Sequence, residues 1–170
     1  EEPANEEPAN EEPANEEPAN EEPGGEDVAE EEPVDEEVAE EEFQDPESNG
    51  TCDAPHGLDF GQTDGTTSDA PELLRGACGG AGGEQIFRIN MAENTPVCLN
   101  TLGSDIDTVL YVRATNCGAN GVEVQCNDDF RGVQSQVSFM ANANTDYFVV
   151  VDSYNASGEF VLNVSAGACQ

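Results

Sequence analysis

Residues 145–165 read TDYFVVVDSYNASGEFVLNVS. Tyr147 to Val151 is an unbroken run of aromatic and β-branched side chains, which suit a pleated surface, so residues 145–152 read as a strand. Asn155 and Gly158 mark a turn. Residues 158–165 then alternate, placing Phe160, Leu162 and Val164 inward. In the run before the turn, the same alternation sends half of the side chains to a core and half toward the cover of the second sheet.

The pattern recurs upstream. Glu84–Asn90 places Phe87 and Ile89 on one face, and residues 135–141 turn Val137, Phe139 and Ala141 inward. Residues 107–113 set Thr108, Leu110 and Val112 against Val109, Tyr111 and Arg113. Residues 95–101 and Val122–Asn127 complete the set, with a weaker run at 58–61 inside a Gly/Thr/Asp-rich stretch from 57 to 69. Seven or eight short strands, regular turn signals and no helical periodicity predict an all-β fold, an antiparallel β-sandwich of Greek-key or jelly-roll type.

The segments GSDIDTVLYVR (103–113), Cys117, EVQCNDD (123–129) and residues 145–165 together resemble the bacterial pre-peptidase C-terminal domain, a small secreted β-sandwich appended to extracellular hydrolases and surface proteins. The resemblance covers roughly residues 52–169. It implies a non-catalytic accessory or binding domain, since the family includes calcium-stabilised collagen-binding modules of bacterial collagenases. No catalytic domain is expected beside the sandwich within these 170 residues, a departure from the usual setting.

Residues 1–45 are a different object. They count in fives, two acids followed by an anchor at Pro3, Pro8, Pro13, Pro18, Pro23, Val28, Pro33, Val38 and Phe43, and the first four units are identical (EEPAN). A period of five matches neither helix nor strand. The segment holds 22 of the 38 acids and no base, and its first aromatic residue is Phe43. Such a composition cannot bury enough apolar area to offset its ordering entropy, so the expectation is an extended, self-repelling polyproline II coil. At about 3.1 Å per residue it would reach on the order of 140 Å. Residues 46–51 then read as a linker and 52–170 as the disulfide-bonded domain. The sequence opens on Glu1 rather than methionine, which leaves the repeat room to continue upstream.

Six cysteines (Cys52, Cys78, Cys98, Cys117, Cys126, Cys169), none in a CxxC pair, and a single histidine point to disulfides rather than zinc. A hairpin of 107–113 with 122–127 would join Cys117 to Cys126. For the other four, three pairings stay open; Cys52 with Cys169 and Cys78 with Cys98 would tie the termini together. No lysine, an acidic charge and sequons at Asn49, Asn155 and Asn163 fit an extracellular or cell-surface glycoprotein. The charge excludes nucleic acid and anionic membranes as partners, and no apolar run reaches transmembrane length.

The same hairpin would bring Asp107 beside Asn127, Asp128 and Asp129, with Asp105 nearby. Oxygen-only ligands of this kind suit Ca²⁺, which would relieve the repulsion among the carboxylates. No enzyme is expected, because His56 has no nucleophile in a recognisable motif and reads as solvated. Tyr111, Phe130 and Tyr154 are the aromatic candidates for ligand contact. Two functions follow. In one, the chain is an extracellular structural subunit that self-associates into a filament or surface layer, its repeat packing along neighbouring sandwiches. In the other, it is a non-catalytic module for polysaccharide or matrix protein on an acidic stalk. Deleting residues 1–45 separates them: the filament function requires a folded monomer that no longer polymerises under negative-stain microscopy, and fibres from the truncated chain would refute it.

Overall fold

The computed structural model describes residues 48–170, so the expectations for residues 1–45 lie outside the described residues. Nine strands form two sheets: β1 (His56–Gly57), β2 (Gly61–Thr66), β3 (Glu84–Asn90), β4 (Thr95–Asn100), β5 (Thr108–Ala114), β6 (Val122–Asn127), β7 (Gln136–Ala141), β8 (Asp146–Ser153) and β9 (Glu159–Ala166). One sheet runs β1-β3-β8-β5-β6 and the other β2-β9-β4-β7. Every pairing is antiparallel except β1 with β3. This is the expected sandwich, and among the described residues there is no helix.

The turn at Asn155 joins two sheets rather than two partners, since β8 lies in the first sheet and β9 in the second. Only β5 and β6 form a sequential hairpin; every other connection crosses between layers. The side chains expected inward do meet there. Phe87, Ile89, Val137, Phe139, Ala141, Phe160, Leu162 and Val164 share one buried cluster with Leu99 from β4, Leu110 and Val112 from β5, and Tyr147, Val149 and Val151 from β8. Phe87 and Phe160 meet edge to face across it at 6.2 Å. Gly65 on β2 lies against the Phe160 ring, where a Cβ would overlap it.

Two strands were hidden in the 57–69 stretch. The weaker run expected at 58–61 is instead β1 and β2 on either side of Leu58, which is buried while β2 is mostly exposed. Glycine, threonine and aspartate at an outer strand carry little hydrophobic pattern, so the ladder to β9 forms the strand.

The central strands of the first sheet, β5 and β8, are buried on both faces over most of their length. Ile86, Val109, Tyr111, Cys117 and Val150 form a second cluster on the sheet's outer side, packed with Cys52, Leu74, Cys78 and Cys126. Tyr111 therefore is not a surface residue as expected; it is fully buried.

The disulfides join Cys52 to Cys117, Cys78 to Cys126 and Cys98 to Cys169, with Cα–Cα distances of 5.5, 5.7 and 5.1 Å. None of the three expected pairs, Cys117–Cys126, Cys52–Cys169 or Cys78–Cys98, is formed. In the hairpin register Cys126 lies opposite Tyr111, not Cys117, which sits beyond the end of β5 in the connection to β6. Two bridges instead fasten upstream segments over the outer face, and the third ties β4 to the C-terminus. Peptide mapping without reduction should recover these three pairs, and a Cys117–Cys126 peptide would contradict the topology. Replacing both Cys98 and Cys169 by alanine should cost about 2–5 kcal/mol in denaturant unfolding.

Candidate functional site

Asp107 immediately precedes β5, and Asp128 and Asp129 follow β6. Because the two strands are antiparallel, with Leu110 opposite Asn127, those ends coincide. One carboxylate oxygen from each of the three aspartates lies within 4.8 Å of the others.

A buried hydroxyl network fixes this end. The Thr101 and Thr108 hydroxyls are 2.6 Å apart, and the Ser135 N–H donates to Thr101 Oγ1 at 2.8 Å. The Ser135 hydroxyl lies between two carbonyls, that of Thr108 at 2.6 Å and that of Asp128. Thr101, Thr108 and Ser135 are all fully buried, so β4, β5 and β7 are locked to the start of the Asp128 turn. The turn closes through Phe130 N–H and Arg131 N–H, which both donate to the Gln134 carbonyl, at 2.8 and 3.2 Å.

Two oxygens in the cluster, Asp107 Oδ1 and Asp128 Oδ1, are buried with no hydrogen-bond partner. Desolvation raises the Asp107 pKa above the usual carboxylate value, and the Asp129 charge adds to it. Asp128 is raised by desolvation, then by Asp129 and Asp107. Three converging carboxylates, two of them with an unpartnered oxygen, form an oxygen-only cluster that a hard cation such as Ca²⁺ would suit.

The other two expected ligands are elsewhere. Asn127 Oδ1 accepts from Gln136 N–H at 2.9 Å and is engaged in tying β6 to β7. Asp105 is exposed, its N–H donates to the Glu159 carbonyl, and it lines a separate groove with Asp64 and Glu159. The two remaining aromatic candidates flank the carboxylates. Phe130 follows Asp129 directly and is 47% exposed; Tyr154, 41% exposed, donates its N–H to the Asp107 carbonyl at 3.0 Å. Val133, 44% exposed, lies in the same turn. Sequence reading passed over Ser135 and Val133; a serine heading a strand carries no signal of its role.

His56 is not simply solvated. Its Nδ1 is 2.9 Å from Ser48 Oγ and its Nε2 is 3.0 Å from Gln85 Oε1, in a cleft of about 420 Å³ between the β1 and β2 edges. A serine, histidine and amide in a row resemble a hydrolytic triad only in outline: the neutral Gln85 cannot stabilise an imidazolium as a carboxylate would. Of the sequon asparagines, Asn49 and Asn155 are exposed. Asn163 is half-buried, and its amide donates to Asn100 Oδ1 and to the Leu102 carbonyl, both at 3.1 Å, so it does not present a free nitrogen to sugar.

No protein-family model and no curated protein matches the chain. Among solved structures it is similar to the pre-peptidase C-terminal domain of a collagenase from Bacillus anthracis, at 15% identity and a TM-score of 0.41, over 65% of this chain and 94% of that one. It is also similar to a Podospora anserina GH26-CBM35 β-(1,4)-mannanase, at 16% identity and a TM-score of 0.28 over 65% of this chain. This chain spans 29% of the mannanase's length.

The raised values at Asp107 and Asp128 set the sign of a pH effect. A carboxyl whose folded pKa lies above its unfolded value contributes stability that is full at low pH and is lost as pH rises through the folded value. A bound cation competes with those protons, so calcium should raise the melting temperature at about pH 7 and lose that effect progressively as pH falls and Asp107 and Asp128 take up protons. Asp128→Asn should abolish most of the calcium response; an unchanged response would remove the metal from this site.

Proposed function

We propose that the chain is a non-catalytic, secreted module that binds an extracellular polysaccharide or matrix protein at the carboxylate end of its sandwich, presented on the acidic N-terminal segment. The observation that supports this most directly is the coincidence at one end of Asp107, Asp128 and Asp129 with the exposed aromatics Phe130 and Tyr154. Large apolar side chains left in water beside a cation-binding geometry suit a ligand surface whose loops a metal would stiffen. Calcium bound there would organise the turn 128–134 and pre-orient Phe130.

Three disulfides with no free cysteine among the described residues fit an oxidising compartment, and a secreted location is the natural extension. Exposed Asn49 and Asn155 would be the positions for glycans. Assembly into a filament draws on residues 1–45, and no observation on the described residues favours it.

Co-sedimentation of the full chain with insoluble collagen and with a panel of insoluble polysaccharides, in calcium, tests the proposal. Tyr154→Ala and Phe130→Ala should each weaken retention at least tenfold, equal to about 1.4 kcal/mol, while leaving the melting temperature nearly unchanged. Retention by none of these matrices, or retention untouched by both substitutions, would overturn it.

A further inference from the structure

Glu84 opens β3, Asp152 lies near the end of β8, and the register makes them direct cross-strand partners. Both sit on the outer side of the first sheet, at 1% and 0% exposure. The cover over them is the segment 71–83. Glu84 N–H donates to the Pro71 carbonyl at 3.2 Å, and Glu84 Oε1 accepts from the N–H groups of Leu73 and Leu74, both at 2.8 Å.

The far end of the cover rests on longer hydrogen bonds: the Ser153 N–H and hydroxyl donate to the Gly83 carbonyl at 3.3 and 3.4 Å, and the Tyr154 ring lies against Gly79. Gly82 N–H reaches Asp152 Oδ1 at 3.4 Å and the Ser153 carbonyl at 3.1 Å, and Ala81 N–H reaches that carbonyl at 3.4 Å. Gly80, at φ +82°, lies directly on Asp152 Oδ2, where any Cβ would overlap the carboxyl. Each acid leaves one oxygen, Glu84 Oε2 and Asp152 Oδ2, buried and without a hydrogen-bond partner.

The groups facing the pair do not neutralise it. From β5 come the Tyr111 hydroxyl, also buried and unpartnered, and Arg113, whose Nη atoms donate to the carbonyls of Arg75, Cys117 and Gly118 at 2.9–3.0 Å. β6 contributes Glu123 and the cover contributes Glu72, both acidic, while Arg75 is exposed. One guanidinium engaged with carbonyls faces two buried carboxyls, and two like charges in a dry site cannot both be sustained.

We propose that Glu84 and Asp152 hold one proton between them rather than two charges, and that losing it lifts residues 79–83 from the sheet, so that the outer face of this domain opens as pH rises. The opposite side of the sheet is the hydrophobic core, so water can reach two ionised carboxyls only through the cover. Burial, then the Glu84 charge, pushes Asp152 up to about 7, and burial raises Glu84 as well. With folded values above unfolded ones, the folded state holds the extra proton, and stability falls as pH climbs to about 7.

Hydrogen exchange of the full chain, corrected for intrinsic rates, at about pH 5 and about pH 8 reads the device directly. In wild type, protection of residues 79–83 should drop at the higher pH, and stability should fall by up to about tenfold in the folding constant per pH unit between pH 5 and 7. Asp152→Asn, or Glu84→Gln if that variant fails to fold, should flatten both trends and be the more stable protein at about pH 8. Equal protection at both pH values in wild type overturns the proposal. So does calcium restoring protection at high pH in Asp129→Asn, because the pair would then hold a cation instead of a proton.

Discussion

Strand β8 has no solvent side, and the rest of the domain is arranged around that constraint. It lies between β3 and β5, sends Tyr147, Val149 and Val151 into the space between the sheets, and turns Val150 to the other face with Ile86, Val109 and Tyr111. The second sheet buries the first set. The other set needs a cover, which here is irregular chain with five glycines between residues 76 and 83. Loose chain over apolar strands must be fastened, and Cys78–Cys126 and Cys52–Cys117 do this from two directions. Long-range bridges of this kind reduce the entropy of the unfolded chain, which matters when nearly every strand pairing is non-local.

The same arrangement explains which parts of the fold are legible in the sequence. Strands that build the central core carry a period of two because each alternate side chain is apolar; β3 and β6 read with their observed limits, and β7 and β9 within a residue. β1 and β2 are outer strands in polar, glycine-rich sequence, so their identity comes from pairing with β3 and β9 and leaves no local trace. Tyr111 read as an aromatic candidate for ligand contact because the alternation of β5 does not reveal what covers each face, and Val109 and Tyr111 in fact lie beneath the cover. Disulfide connectivity was illegible for the same reason. It depends on where residues 71–83 lie in space, and local spacing favours the nearest cysteine in the hairpin over the correct one.

The carboxylate site was half legible. Asp107, Asp128 and Asp129 follow from hairpin geometry alone, since strand ends in register must meet. Asn127 and Asp105 were drawn in by nearness in sequence, yet a strand directs successive side chains to opposite faces and a turn redirects them again. Asn127 consequently caps Gln136 N–H on β7.

Burial divides the acids of this domain into two kinds. Asp107, Asp128 and Asp129 converge at a strand end where Asp129 is exposed, so the cation proposed for them would meet the cluster from solvent. Glu84 and Asp152 are sealed under backbone, and no ion or water reaches them unless the cover moves. Like-charge repulsion is common to both, but the means of relief differs. At the exposed end it favours ligand capture, and beneath the glycine segment it couples protonation to shape. The glycines allow the backbone to lie flat on Asp152, and by removing side-chain anchorage they make this segment the part of the cover that yields when the charge appears.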